Sequence, residues 1–318
     1  MSSRHGDQFS VEAPQLVELP MTPAEVAERL RHLPDMVFFD TSGNLSSRSH
    51  APVSIIAARP VRVIRGDLTD VSALREEINR WMTHTPSVGF PAGGACGWVD
   101  YEGDYCFGIY PEMLIYQHDR QQWWQCGNLL EAMQTETGEI ESNTPEIGDF
   151  EASMTKDEYE SGVRRIHEYI RAGDIYQVNL TQRFSADVKG GSLFPLYRHL
   201  REATPAPLAV WMKLAGREVL SSSPETFLRM SGRGIETRPI KGTRPRYLDE
   251  AEDKSSAREL LASEKENAEL IMITDLQRND LGQVCEFGTV RVADMLALEK
   301  LEHVYHLVST VTGSLREG

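Results

Sequence analysis

The first third of the chain is a succession of short β-branched or aromatic segments separated by turn residues, and this pattern constrains the fold more than any other feature. MVFFD (36–40), PVSIIAA (52–58), VRVIRG (61–66), GACGWVDYEG (94–103) and MLIYQHD (113–119) are each of strand length. No βαβ alternation and no internal repeat accompanies them, so they predict an antiparallel, strand-rich first half.

Helices are announced by their caps. Thr22, Pro23 and Glu25 form a capping box with proline at the first helical position, so TPAEVAERLRHL opens as a short helix. Thr155 and Glu158 form a second box, after which Tyr159, Val163, Ile166 and Ile170 recur at helical spacing until Gly173 supplies a stop; this predicts a helix of about 17 residues. Tyr176, Val178, Leu180 and Phe184 then alternate with Gln177, Asn179, Thr181 and Arg183, which predicts a strand with one apolar and one polar face.

Between Arg120 and Lys156 there is no basic residue, while Glu131, Glu136, Glu139, Glu141, Glu146, Asp149 and Glu151 accumulate. The run reads as an acidic surface loop or inter-lobe linker, and it suggests two domains, 1–145 and 146–318. Beyond it, LAVWMKL (208–214), REVLSSS (217–223), ETFLRM (225–230) and GIETRPI (234–240) read as successive strands leading into a turn at Lys241, Gly242 and Thr243.

With 318 residues, 40% of them apolar, the chain can bury one large core or two ordinary ones. Its net charge of −15 argues against nucleic acid or anionic lipid as partner, and an anionic substrate must find a local group of cations. Four cysteines without C-x-x-C spacing fit reduced thiols better than a disulfide scaffold or zinc. No apolar run has the length of a signal peptide or membrane helix, so a soluble, cytoplasmic protein is expected.

Several residues have the chemistry of a site. Lys241 lies at a strand end beside Gly242, which lets backbone approach a ligand, with Arg238, Arg244 and Arg246 nearby. Like charges and desolvation would lower the amine from its free value of about 10.4, as a nucleophile requires. Pro224 interrupts pairing, so Glu225 projects into a cleft as a general acid or base; no triad partner accompanies Ser221, Ser222 and Ser223, which weakens a hydrolase reading.

Ser263 and Glu266 make a third capping box, and the helix that follows sets Glu266 and Glu269 on one face. Two readings stay open: the carboxylates hold Mg²⁺ with water and substrate oxygens, or Glu266 does no more than cap Ser263. Asp275, Arg278, Asn279 and Asp280 crowd the expected end of this helix. In EHVYHLVSTVTG (302–313) strand alternation puts His306 between apolar neighbours, with His303 on the other face.

GDIYQVNLTQRF (173–184), SSSPETFL (221–228), RPIKGTRPR (238–246), EKENAELIMITDLQRNDLG (264–282) and HVYHLVSTVTG (303–313), in this order, resemble the chorismate-utilising enzymes. The likeness is weaker through 38–60 and 93–105. It implies an α+β fold of two large, mostly antiparallel sheets packed together and flanked by helices, with an N-terminal region of anthranilate synthase component I type over 1–145 and a chorismate-binding domain over 146–318. Family members continue past the position of Gly318 into a Gly-Ala-Pro-Lys segment that supplies further metal and carboxylate ligands, so a C-terminally incomplete fold of doubtful activity is expected.

Anthranilate synthases usually carry alanine at the position of Lys241, whereas aminodeoxychorismate synthases carry a lysine nucleophile. Isochorismate and salicylate synthases place a water-activating lysine where Gln177 stands. The resemblance therefore implies amination of chorismate, with Lys241 as nucleophile, Glu225 protonating the departing hydroxyl and His306 helping to polarise it. Gln177, Gly242 and Thr243 are implied to touch substrate, and Glu266 and Glu269 to hold Mg²⁺. Ammonia would come from a separate glutamine amidotransferase subunit. FFDTSG departs from the family's effector-site sequence, so no amino-acid effector is implied. The alternatives are an anthranilate synthase large subunit and a non-catalytic remnant that still binds chorismate or a partner.

Overall fold

The computed structural model describes residues 13–42, 52–82, 90–135 and 144–317. Glu136, Glu139 and Glu141 of the acidic run, and positions 43–51 of the segment that resembles the family weakly, lie outside the described residues.

In chain order the elements are β1 (Gln15–Val17), α1 (Pro23–Leu30), β2 (Val37–Asp40), β3 (Val53–Ala57), β4 (Arg62–Asp67), α2 (Ser72–Met82), β5 (Gly94–Val99), β6 (Asp104–Tyr110), β7 (Met113–Gln117), β8 (Gln122–Cys126) and α3 (Leu129–Thr135). There follow β9 (Glu146–Ile147), β10 (Glu151–Ala152), α4 (Lys156–Ala172), β11 (Phe184–Ser185), β12 (Val188–Lys189), α5 (Phe194–Ala203), β13 (Leu208–Leu214), β14 (Arg217–Ser223) and β15 (Thr226–Ser231). The last are β16 (Gly234–Arg238), β17 (Ile240–Pro245), α6 (Glu250–Ala262), α7 (Glu264–Val284), β18 (Arg291–Lys300) and β19 (Val304–Ser314).

The fold is a mixture of helices and antiparallel sheets, as the sequence led us to expect. The two largest sheets are one of seven strands, ordered β1-β8-β7-β3-β2-β13-β14, and one of five formed by β15 to β19; a third, β4-β6-β5, has three. The chain groups into two units, Met1–Ile140 with Leu196–Gly318, and Glu141–Pro195. Because β13 pairs with β2, the strand-rich first half is completed by residues far along the chain.

Alternation along the seven-stranded sheet builds two cores. Val37, Ala57, Met113, Ile115 and Met212 join Ile109 and Tyr110 of the three-stranded sheet in one cluster. The intervening residues Phe38, Ile56, Leu114 and Trp211 are equally buried, on the other face. There Phe38 meets Tyr197 of α5 edge-to-face at 6.0 Å. All four cysteines are buried, and burial pushes the Cys96 thiol up to about 12, which keeps it protonated.

In the five-stranded sheet, β16 and β17 run one after the other along the same flank of β19, while β18 takes the opposite flank. Helices α6 and α7 cover one face. Leu260 and Leu270 pack with Tyr305 and Leu307, and Leu281 packs with Ile235, Cys285 and Val311. Arg246 Nε donates to Asp253 Oδ1 at 2.8 Å and the Tyr305 hydroxyl donates to Asp253 Oδ2 at 2.7 Å, tying α6 to the sheet. These bonds hold the Asp253 carboxyl well below the usual carboxylate range.

In the second unit, α4 has both halves of the Thr155–Glu158 capping box, spans 17 residues and ends at Gly173 with φ 80°. The strand expected over Tyr176–Phe184 does not form; only Phe184–Ser185 pairs, with Glu151–Ala152. Among the described residues no strand pairs with 176–183, so the alternation has no ladder to enter. No helix among the described residues is long and apolar enough to cross a membrane.

Candidate functional site

Lys241 sits where the edge of the five-stranded sheet is interrupted. β17 pairs Lys241 with Leu307 and Thr243 with His306, leaving Gly242 as the extra residue of a bulge. Gly242 has φ +75°, and a Cβ there would meet Leu260 Cδ1 at 2.9 Å and Glu266 Cβ at 3.1 Å. Only glycine fits both constraints. The bulge also reverses the alternation, so Lys241 shares a face with Leu307, toward α6 and α7, while Thr243 shares the opposite face with His306.

On the helix side lies a cavity of about 370 Å³, lined by Lys241, Glu225, Ser223, Thr226, Thr237 and Gln277 with Phe227, Pro239 and Ile273. Glu225 stands between β14 and β15, where Pro224 ends the pairing. Its Oε1 accepts the backbone N–H of Ile240 at 2.9 Å, taking a ladder position just beyond the Thr226–Arg238 pair. Glu225 is thereby fixed beside the residue preceding Lys241.

The three arginines near Lys241 are each engaged by a carboxylate. Arg238 is ion-paired with Glu299 in largely buried surroundings, Arg246 with Asp253, and Arg244 Nη1 stands 3.7 Å from Glu266 Oε1. The cluster of uncompensated positive charge that the sequence suggests is therefore neutralised pair by pair.

His306 is buried on the other face. Its Nδ1 is 3.1 Å from Thr243 Oγ1 and 3.4 Å from the Gly242 carbonyl. Burial pushes the imidazole below its ordinary value, opposed by the Gly242 carbonyl bond and by the charges of Glu299 and Glu225. The structure thus groups the site candidates in two sets, Lys241 with Glu225 in the cavity and Thr243 with His306 behind the bulge. His303 precedes β19, and its carbonyl accepts from Arg246 N at 2.9 Å. Gln177 belongs to the unit Glu141–Pro195, in the irregular stretch that replaces the expected strand.

Glu266 makes one half of the expected capping box and not the other. Its backbone N–H donates to Ser263 Oγ at 3.4 Å, but the Ser263 N–H goes to the Leu260 carbonyl. The Glu266 carboxylate is thus not spent on the cap and lies beside Gly242 and Arg244 instead. Glu269, one turn on, has Lys265 at 3.7 Å. Among the described residues no group of three His, Cys, Asp or Glu side chains converges as a metal site. Two carboxylates still suit Mg²⁺, which keeps several waters and takes one or two protein carboxylates together with substrate oxygens. Asp275 and Arg278 form an exposed ion pair at 2.9 Å, and α7 continues past them to Val284, so they do not cap the helix.

Thr237 and Gln277 were not singled out from sequence, although the signals exist. Thr237 precedes Lys241 by four positions, an even spacing that β16 and β17, running one after the other along β19, keep on one face of the sheet. Gln277 continues the stripe of Leu270, Ile273 and Thr274 at helical spacing.

Residues 97–318 match the family described as chorismate binding enzyme. The chain is 51% identical over 169 residues to anthranilate synthase component 1 of Thermus thermophilus, which is 53% of this chain and 36% of that protein. It is 33% identical over 264 residues to aminodeoxychorismate synthase component 1 of Bacillus subtilis, 71% of this chain and 56% of that protein. It thus spans about half, or less, of these relatives' length. A crystal structure of anthranilate synthase component I from Streptococcus pneumoniae is similar with a TM-score of 0.68 at 25% identity, covering 86% of this chain and 71% of that one.

Proposed function

The chain belongs to the chorismate binding enzyme family, and from that premise we propose that it is an aminodeoxychorismate synthase component 1, which replaces the 4-hydroxyl of chorismate by an amino group. The observation that carries this reading is the presence of Lys241 and Glu225 in one cavity.

In the first step the neutral amine of Lys241 forms a C–N bond to the ring while the C–O bond to the 4-hydroxyl breaks. Glu225 delivers its proton to that oxygen, which leaves as water, and takes up the proton released from the lysine nitrogen. In the second step ammonia forms the new C–N bond while Glu225 returns its proton to the lysine nitrogen, whose bond to the ring breaks, and Glu225 then takes up the proton that the ammonia nitrogen loses. Splitting the substitution in two lowers the barrier of each part. The balance is chorismate plus ammonia giving 4-amino-4-deoxychorismate plus water, a reaction of para-aminobenzoate and folate synthesis.

His306 holds Thr243 and the Gly242 carbonyl, and so supports the bulge that presents Lys241. Gly242 and Thr243 form the backbone against which substrate lies. Glu266 and Glu269 would hold Mg²⁺, which supplies positive charge for a substrate carboxylate on a protein of net charge −15. Ammonia is supplied by a glutamine amidotransferase subunit, and the reaction takes place in the cytoplasm.

The higher identity to anthranilate synthase component 1 favours a second reading, amination at a different ring carbon with loss of pyruvate. Both are tested by mass-resolved chromatography after incubating the chain with chorismate, Mg²⁺ and ammonium, beside a Lys241→Ala control. Aminodeoxychorismate from the unmutated chain alone supports the proposal; anthranilate with pyruvate replaces it by the second reading. Unchanged chorismate overturns both as activities of this chain.

A further inference from the structure

Gln277 is out of place in the face of α7 that covers the sheet. Leu270 and Leu281 on that face are buried in the two clusters against β19, and Thr274 is fully buried with its hydroxyl donating to the Leu270 carbonyl at 2.6 Å. Gln277 lies between them at helical spacing, half-buried while its neighbours Leu276 and Arg278 are exposed. It lines the Lys241 cavity. Among the described residues its amide makes no hydrogen bond within the chain, although it has two N–H donors and a carbonyl acceptor to satisfy. Its amide atoms are open to the cavity, so a ligand held there can take up the two donors.

The charge of the cavity indicates what that ligand presents. Its two ionisable wall residues are Lys241 and Glu225. When the lysine is neutral and Glu225 protonated, as the first step requires, the wall carries no cation. A carboxylate lying against this wall, other than one that meets a bound Mg²⁺, is then held by neutral donors, and Gln277 offers two on a planar amide set on a helix.

We infer that Gln277 is a specificity-determining residue whose amide donates to a carboxylate of the ring ligand in the Lys241 cavity. The inference rests on the chorismate reading above and adds to it the group that recognises the acid. Replacement by leucine removes the donors, replacement by glutamate adds a like charge, and replacement by asparagine keeps the amide on a shorter arm.

The test is calorimetric titration with chorismate and Mg²⁺, without ammonium, of the wild-type chain and of Gln277→Leu, Gln277→Glu and Gln277→Asn, with melting curves alongside. Steady-state assays with ammonium follow. Leucine is expected to weaken binding about 10-fold or more, the size of a hydrogen bond to a charged acceptor. Glutamate weakens it further and asparagine less, and KM rises while kcat stays within about twofold. Should the leucine variant fail to fold, the near-isosteric glutamate variant carries the test. Wild-type binding matched within twofold by the leucine and glutamate variants overturns the assignment of Gln277 and leaves the chorismate reading standing. Absence of binding by the wild type overturns that reading and this inference with it.

Discussion

Glu225 Oε1 accepts the backbone N–H of Ile240 at 2.9 Å, so the candidate acid is anchored to the strand that carries Lys241. One carboxylate oxygen is held by the backbone and the other remains available in the cavity. This arrangement separates the structural from the chemical role of Glu225. Glutamine at 225 retains an oxygen for the Ile240 N–H but cannot transfer a proton. Glu225→Gln is therefore expected to lower kcat by about 10² to 10⁴, the usual contribution of general acid–base catalysis, with the melting temperature unchanged. Glu225→Ala loses the backbone acceptor as well and unfolds more readily, by about 1 kcal/mol. Wild-type turnover by Glu225→Gln removes Glu225 from the chemistry.

Gly242 is required by both conformation and space. Its φ of +75° lies in the left-handed region, and an added Cβ would press on Leu260 Cδ1 at 2.9 Å and Glu266 Cβ at 3.1 Å. Gly242→Ala combines backbone strain with overpacking and is expected to cost about 1–3 kcal/mol. The same push displaces Glu266 and the bulge that orients Lys241, so activity falls further than stability. Urea unfolding and initial rates on the same preparation measure the two losses separately. An alanine variant as stable and active as wild type shows that the bulge adapts.

Much of this site was legible in the sequence because its parts are local. The capping residues Thr22, Thr155 and Ser263 mark where α1, α4 and α7 begin, and strand spans such as 208–214 and 217–223 follow directly from β-branched runs between turns. Lys241, Gly242 and Glu225 stood out through the company they keep within a few residues. What stayed hidden depends on partners distant in sequence. The alternation in 176–184 has the form of a strand, but a strand exists only if another segment satisfies its backbone. The bulge at Gly242 appears only when β17 meets β19, and until then Lys241 and Thr243, two apart, read as neighbours on one face. Likewise, a run of arginines reads as a cationic cluster until Glu299, Asp253 and Glu266 arrive from elsewhere.

The Arg238–Glu299 pair, with side chains 11% and 15% exposed, shows how much such partners matter. Removing one member leaves the other charge largely buried. Glu299→Leu or Arg238→Met alone is expected to destabilise by about 2–4 kcal/mol, near the range for breaking a buried pair. The double replacement Arg238→Met with Glu299→Leu recovers a substantial part of that loss, because no charge is then left without a partner. A double-mutant cycle by urea unfolding measures the coupling. Strictly additive losses exclude a direct interaction of the two side chains.

His306 provides a pH-dependent reading of the same region. Burial holds its folded-state pKa below the unfolded value of about 6.5. Between the two values the unfolded chain binds more protons than the folded one, so stability rises with pH across that window. As pH falls from about 6.5 through the folded value, stability is lost by at most about 1.4 kcal/mol per pH unit for this one group, and below the folded value the loss stops growing. His118 is pushed down by burial as well and adds a slope of the same sign, so the informative quantity is the difference between two chains. His306→Asn should flatten the wild-type profile of unfolding free energy against pH over this window, measured by urea titration. Glu299→Gln removes a negative charge that favours the protonated imidazole, moving the folded pKa of His306 further down and extending the window toward lower pH. If wild type and His306→Asn have parallel profiles, His306 takes up no more protons on unfolding than asparagine does, and the burial of its imidazole behind the Gly242 bulge carries no titration cost.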